Sequence, residues 1–491
     1  MATVGRAIAA RFWVAWDGSN YVSEAANLLS ATGQCRYSAW GSGSLTGRGV
    51  TDQMTVTLAN SDGRYSPLNT GSAIYANISG GGAYHRPCYF EVSVNGGGAY
   101  TRVFTGVIKI PKEQGSAFGS MPTVTIDCRS LDELYLNKRV STTQSTFLAL
   151  NAAGATEADI ITQWLSDAGI ASTDVDDGLV SIPWAWMDDE SPIEDMWALA
   201  AAAGGRFYAS ADGIFKYENA QHLLFSPHSV SQQTYTQADY KKLLVWYDDA
   251  DLYSDVTIEV SGRIVEGTDV LWEPEEDVFI PAGATKTLTA QFRYPAYSID
   301  AVNFAAASSG GKDLTASVTV TDATYYAQRA EIEITNASAY GAYLDDVNIT
   351  GRPIIGGPRQ DETAAVVASF WSGRALRNRR IGGNAYVQTA AHGQMMAQML
   401  RDWLDTPKLM FRLENALGVA GRRLGDRITI NDSSVMASSV DAFVTAVSFT
   451  YTNKGWFQTI EAVEAASLFP YAAAEYFVIG THTIGSKVVF Y

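Results

Sequence analysis

The chain has 491 residues, 47% of them hydrophobic and 18% charged, which suits about three or four compact units and excludes a disordered or collagen-like polypeptide. Its 35 basic and 52 acidic residues leave a net charge of −17, a field that repels phosphate backbones and argues against sequence-independent nucleic-acid binding. Cys35, Cys88 and Cys128 lie in no CxxC spacing, and no apolar run is long enough for a membrane span or a secretory signal, so the expectation is a soluble multidomain protein folded in a reducing cytoplasm.

Up to about residue 135 the pattern predicts short strands: Thr55 to Leu58, Tyr89 to Val94, Val103 to Ile110 and Thr123 to Cys128, separated by Gly, Asn and Ser clusters. Gly80-Gly81-Gly82-Ala83-Tyr84 recurs as Gly96-Gly97-Gly98-Ala99-Tyr100 with one strand between, as in a meander. The character changes near residue 145. Thr156 precedes a helical stripe of Ile160, Ile161, Trp164, Leu165 and Ala168. Ser191, Pro192 and Glu194 then have the spacing of a capping box with proline at the first helical position, ahead of Ile193, Met196, Trp197 and Ala200. Gly204-Gly205 ends that helix, and Arg206 to Ser210, Asp212-Gly213 and Ile214 to Tyr217 predict a hairpin.

From about 246 to 358 alternation returns, with strands expected at Thr257 to Val260, Val278 to Ile280, Thr287 to Phe292, Ala316 to Val320 and Ala330 to Ile334, the spacing of a β-sandwich. Ile354-Ile355-Gly356-Gly357-Pro358 reads as a connector. A helix over Val387 to Leu404 follows, with Ala391, Met395, Met399 and Trp403 in register and Asp405-Thr406-Pro407 as its stop. Strands are expected at Leu409 to Leu413, Arg427 to Ile430 and Ala442 to Tyr451. The expected fold is mainly β with α+β parts, in five segments: a β-barrel-like unit (1–135), an α/β unit (136–245), an inserted β-sandwich (246–358), a helix-plus-β unit (359–466) and an aromatic tail (467–491).

Catalytic signatures are missing: the chain has no HExxH, GxSxG, Walker or dinucleotide-binding motif. Gly311-Lys312 is followed by Asp313, which lacks the hydroxyl a P-loop needs, and no helix pattern follows the glycines at 41, 43, 47 and 49. Among the five histidines, His222 and His228 are the nearest pair but share no carboxylate or cysteine at ligand spacing. Two acidic stretches carry no opposing base: Asp174, Asp176, Asp177, Asp188, Asp189, Glu190, Glu194 and Asp195, then Glu266, Asp269, Glu273, Glu275, Glu276 and Asp277. Asp174-Val175-Asp176-Asp177-Gly178 places its glycine one position early for a calcium loop, so both stretches read as solvated acidic surface. Arg374, Arg377, Arg379 and Arg380 form the opposite patch, a candidate subunit interface.

Leu58-Ala59-Asn60-Ser61-Asp62-Gly63-Arg64-Tyr65-Ser66-Pro67, followed by Phe104-Thr105-Gly106, resembles the opening domain of bacteriophage minor tail proteins of the baseplate-hub family, where a strand enters an N-x-D-G-R-Y/F-S-P turn and a later strand carries F-T-G. Asp188 to Pro192, the helix ending at Gly204-Gly205 and the following hairpin fit the same pattern. So do Asn384-Ala385-Tyr386-Val387, the long helix and Leu424-Gly425-Asp426-Arg427-Ile428. The resemblance covers roughly 12–220 and 380–465 and assigns structural roles to Asn60, Asp62, Gly63, Arg64, Phe104, Gly106, Gly425 and Asp426. It implies a non-enzymatic virion protein without metal or cofactor: a hub, as a trimer, closing the distal end of the tail tube, joining it to tip and receptor-binding proteins and gating genome exit. A different expectation is a host-surface or carbohydrate-binding module using Trp272, Tyr325 and Tyr326. An enzyme such as a peptidoglycan hydrolase would draw on acids such as Asp189 and Glu194.

Overall fold

The computed structural model describes residues 8–37, 47–48, 50–94, 98–115, 121–249, 251–365, 369–417 and 419–468. The glycines at 41, 43, 49, 96 and 97 and the tail from Phe469 to Tyr491 lie outside the described residues. Gly47 opens a two-residue strand, Gly47–Arg48, that pairs in parallel with Arg206 and Phe207.

A fourteen-stranded sheet built from both ends of the chain dominates the molecule. Its main path runs Lys242–Asp248, Lys408–Leu417, Gly455–Glu464, Val440–Thr452, Leu28–Tyr37, Val50–Ala59, Thr123–Ser130, Thr101–Ile108, Pro87–Ser93, Ala9–Val14, Val22–Ser23. The alternating burial of Ala9–Val14 and Thr123–Ser130 shows why these segments are strands: one face is apolar and covered, the other is not. Pro87–Ser93 lies five strands from Val440–Thr452 along this path, which in a flat sheet would be about 24 Å at ~4.8 Å per strand. Yet the Phe90 ring sits 6.0 Å from Phe449 and 6.5 Å from Trp456. The sheet therefore curls over one core of Phe12, Val56, Phe90, Phe104, Ile126 and Phe449. It is barrel-like, but its strand path is open among the described residues.

Three helices share a second core. Glu157–Asp167 begins with a complete capping box between Thr156 and Asp159, and it buries the expected Ile160, Ile161, Trp164 and Leu165. Pro192–Ala202 starts at Ser191 as expected, but no side-chain cap forms and the Ser191 hydroxyl is buried without a hydrogen-bond partner. Glu194 stays exposed instead of reaching back. The third helix, Ala390–Leu404, starts later than expected, capped by Thr389. Its buried face is His392, Gly393, Met396, Met399, Leu400 and Leu404, while the expected Ala391 is exposed and Met395 and Trp403 are half-buried. Gly393 sets that rotation, since a Cβ there would stand 2.5 Å from Val260.

Between the second and third helices in the chain, Thr285–Gln291, Arg329–Asn336 and Val318–Tyr325 form a three-stranded sheet. It faces Asp269–Trp272, Val278–Ile280, Ala296–Ala307 and the start of Ala342–Ala364 across a core of Ile280, Ala290, Phe292, Ile332, Ile334 and Ile349, making a sandwich as expected, except that the expected strand at Thr257 to Val260 lies outside it and packs on the helical core instead. The connector expected at 354–358 is absent. Ile354 to Pro358 belong to the 23-residue strand Ala342–Ala364, whose second half pairs with Asp255–Val265. Gly357 and Pro358 fall at a register irregularity opposite Ser261 and Arg263 rather than in a turn.

Candidate functional site

The residues of the 58–67 motif converge on one buried carboxylate that no local pattern marks. Asn60 Oδ1 accepts from the Tyr65 amide at 3.0 Å and Asn60 Nδ2 donates to Glu113 at 2.9 Å. Asp62 accepts from the Arg64 amide at 3.1 Å, and Gly63 takes φ +66° to close the turn. This geometry aims Arg64 and Tyr65 at Glu24, 2% exposed, which accepts from Arg64 Nη2 at 3.1 Å, Tyr65 Oη at 2.5 Å and Trp16 Nε1 at 2.8 Å. Burial and the adjacent Glu24 push the Tyr65 hydroxyl well above its usual pKa.

The F-T-G strand is a seam. Phe104 is fully buried, and a Cβ on Gly106 would fall 1.9 Å from the Arg129 carbonyl oxygen on the neighbouring strand, so only glycine allows that approach. Thr105 Oγ1 donates to the Ala211 carbonyl at 2.7 Å and fixes the hairpin of Arg206–Ala209 and Phe215–Glu218 against the sheet.

The 424–428 motif docks on the same hairpin. Gly425, at φ +78°, donates its amide to Val444 at 2.8 Å, and a Cβ would meet Tyr37 Oη and Leu223 at 2.9 Å. Asp426 Oδ2 accepts from Arg422 Nη1 and the Arg423 amide, both at 2.9 Å. Arg423 Nη2 reaches Asp212 at 3.0 Å and the Arg102 carbonyl at 2.7 Å. Two motifs far apart in sequence, at 104–106 and 424–428, are thus joined through one hairpin.

Beside that hairpin lies a cavity of about 420 Å³, lined by Asp176, Glu218, His222, His228, Arg422 and Arg423 among others. Here His222 does meet carboxylates, contrary to the sequence spacing: Nδ1 donates to Asp176 at 2.8 Å and Nε2 lies 3.5 Å from Glu218. Glu218 is buried, accepts from Tyr37 at 3.1 Å and Arg206 at 3.2 Å, and also takes the Tyr208 hydroxyl. Burial alone would raise its pKa, but the positive His222 and Arg206 outweigh it and hold the carboxyl below its ordinary value. For His222, Glu218 and Asp176 overcome burial and raise the pKa; for His228, burial and His222 lower it. Cys35 lines the same cavity with its thiol pushed well up by burial, the opposite of an activated nucleophile.

The first acidic stretch divides: Asp174, Asp177, Asp189, Glu190 and Glu194 are exposed, as expected, while Asp176, Asp188 and Asp195 are half-buried. Asp174 pairs with Lys216 at 2.7 Å, Asp176 accepts from His222 and the Asn219 amide, and Asp188 accepts from Gln291 at 2.6 Å. Asp189 sits at φ +54°, with its amide on Ser141 Oγ. Asp195 and Glu190 share a second cavity of about 520 Å³ with Arg263, Trp186 and Tyr386. Burial and Glu190 push Asp195 up to about 8. In contrast, the six acids between Glu266 and Asp277 are all exposed, as a solvated surface requires. Among the described residues no group of three or more His, Cys, Asp or Glu has metal-holding geometry.

The arginine patch divides. Arg380 pairs with Asp361 at 2.9 Å and Glu259 at 3.6 Å, and Arg379 lies 4.0 Å from Asp251. Arg374 and Arg377 are exposed, stacked over Phe370 and Tyr253 respectively. Trp272 and Tyr325 pack half-buried against the sandwich core, and Tyr326 lies under Arg329, so these three do not form an open aromatic platform.

No protein-family model and no curated protein matches the chain. In structure it is similar to the tail protein from Neisseria meningitidis MC58, at 10% identity and TM-score 0.49, over 94% of this chain and 98% of that one. It is also similar to the 43 kDa tail protein of prophage MuSo2 from Shewanella oneidensis, at 12% identity and TM-score 0.47, over 94% and 99%. A third similar structure is an E. coli type VI secretion component described as resembling the T4 tail proteins gp27 and gp5, at 9% identity and TM-score 0.37, over 89% and 73%.

Proposed function

We propose that the chain is a structural, non-enzymatic phage tail protein: an oligomeric hub, a trimer, at the distal end of the tail tube. The observation that carries this reading is the use of the motif residues. Asn60, Asp62, Gly63, Arg64, Phe104, Gly106, Gly425 and Asp426 act as turns, close approaches and ion-paired staples that knit both chain ends into one curled sheet. A hub needs such a rigid frame to hold tube proteins on one side and tip proteins on the other. In this reading the five segments named above are its building units, tied across the boundary at 358 by the strand Ala342–Ala364, and Arg374 and Arg377 are offered to a neighbouring acidic surface. The net charge of −17 would keep passing DNA from adhering while the hub gates its exit.

Negative-stain images of the purified chain test the reading: a discrete ring of about three copies around a pore supports it. Particles without three-fold symmetry, at every concentration and with tail partners added, refute the trimeric hub, whereas two three-copy rings joined across a two-fold axis keep it. A host-surface role is favoured by a different set of residues from those expected. On the sandwich, Phe279 and Tyr343 are exposed with rings 4.8 Å apart, and exposed Tyr340 carries Lys312 at 4.7 Å. A glycan array with Tyr343→Ala as control tests it; equal silence from both proteins removes it.

A further inference from the structure

The first strand on the path of the large sheet, Lys242–Asp248, has an unusual exposure. Among the described residues it pairs on one side only, antiparallel to Lys408–Leu417, from Lys242 opposite Glu414 to Asp248 opposite Lys408. An interior strand of seven residues would cover its apolar side chains. Here Val245, Trp246 and Tyr247 are 39%, 38% and 67% exposed, and since neighbours in a strand point to opposite faces, apolar surface is open on both. A free edge of this length with apolar residues is a template for another strand, and soluble proteins ordinarily blunt it.

The sequence along this edge specifies its own partner. Residues 241–249 read Lys-Lys-Leu-Leu-Val-Trp-Tyr-Asp-Asp. Placed antiparallel to an identical strand with Val245 on a two-fold axis, Lys241 and Lys242 face Asp249 and Asp248 of the second copy. Leu243 then faces Tyr247, and Leu244 faces Trp246. Every position meets a complementary one, which is the requirement of an isologous contact. Parallel pairing would stack lysine on lysine and aspartate on aspartate. Moving the axis to Leu244 would set the lysines against Tyr247 and Trp246, and moving it to Trp246 would set Leu243 and Leu244 against Asp249 and Asp248. Lys241 and Asp249 are exposed, and Lys242 keeps 55% of its side chain exposed despite its 3.6 Å pair with Glu414, so charge remains available at both ends.

We propose that a second copy of this chain docks on this edge by antiparallel strand pairing across a two-fold axis at Val245. The two sheets join into one continuous sheet, and the exposed Val245, Trp246 and Tyr247 of both copies become interior. This contact does not depend on the hub reading.

The test is a charge swap read by sedimentation across a concentration series. Lys241→Asp with Lys242→Asp, and separately Asp248→Lys with Asp249→Lys, each set like charges face to face at both ends of the pairing. Each variant alone should associate at least about tenfold more weakly than the parent, and an equimolar mixture should recover a one-to-one pair. As a second measurement, Val245→Cys should give a covalent dimer under mild oxidation. Residues facing each other across antiparallel strands lie about 4.5–5.5 Å apart at Cα, within disulfide reach. Tyr247→Cys, which faces Leu243 of the other copy, should not. A monomeric parent, unchanged association of both variants, or a mixture that stays dissociated overturns the proposal. A three-copy ring insensitive to both charge variants overturns it while leaving the hub reading intact; a dimer lost in both variants supports it even if no ring ever forms.

Discussion

Gly106→Ala tests most sharply the idea that the motif residues are packing elements. The Arg129 carbonyl oxygen lies 1.9 Å from where the new Cβ would stand, and Cβ atoms essentially never approach heavy atoms closer than 3.0 Å. The obstacle is backbone, so no side-chain rotation relieves it. Thr101–Ile108 must move away from Thr123–Ser130. Those strands meet at only three register pairs, Gly106 with Ser130, Val107 with Arg129 and Ile108 with Cys128. That seam joins Pro87–Ser93 and Ala9–Val14 to the rest of the sheet. Losing two or three backbone hydrogen bonds at about 1 kcal/mol each, plus about 1–3 kcal/mol for overpacking, gives a destabilisation of about 3–6 kcal/mol. Gly115→Ala is the control, because a Cβ there meets nothing within 4 Å, and its cost should stay within about 0.5 kcal/mol. Urea unfolding followed by tryptophan fluorescence reads both, since Trp16 and Trp456 lie in the affected core. Equal unfolding curves for the two variants would refute the close-approach argument.

Three further outcomes follow from charges and contacts in the same frame. Asp195 is raised by burial and Glu190 from 3.8 to about 8, so the folded state binds the extra proton and stability should fall as pH rises from about 4 to 8. Asp195→Asn should flatten thermal midpoint against pH over that window; parallel profiles for variant and parent would contradict it. His222 should titrate above 6.5 and His228 below it by NMR, so the stability His222 adds is present below 6.5 and lost as pH rises through its folded value. The reverse order of the two histidines would show the Asp176–Glu218 cluster to be misread. A double-mutant cycle on Arg423 and Asp212, whose side chains are 29% and 45% exposed, should give a coupling of about 0.2–1 kcal/mol. A coupling near zero would mean that this ion pair adds nothing to the hairpin's other anchors, among them Thr105 on the Ala211 carbonyl and Tyr37 on Glu218.

Local signals in the sequence translated well where period and cap agreed. The Glu157–Asp167 helix was legible because Ile160, Ile161, Trp164 and Leu165 carry a clean helical repeat behind a Thr156 cap. In Ala390–Leu404 the repeat misled, because the buried face contains a glycine and a histidine. Gly393 is buried to admit Val260, and His392 Nε2 donates to the Ala202 carbonyl at 2.7 Å. No hydrophobicity pattern marks either residue. Ile354 to Pro358 carried turn residues, yet a long partner strand with an irregular register absorbed them.

The motif glycines could be placed on turns and strands, but their reasons are tertiary: the neighbours that forbid a side chain at 106 and 425 come from Arg129, Tyr37 and Leu223. Glu24, Arg206 and Glu218 escaped notice for the same cause. Their donors, or the carboxylates they pair with, lie up to 181 residues away, and nothing in the flanking sequence announces the pairing.

The proposed place of the chain in the particle is tested by gold labelling of an epitope-tagged chain in intact phage tails, viewed by electron microscopy. A trimeric distal hub puts label at the far end of the tube only, in about three copies per tail. Label along the shaft, at the capsid end, or absent from purified particles would contradict it.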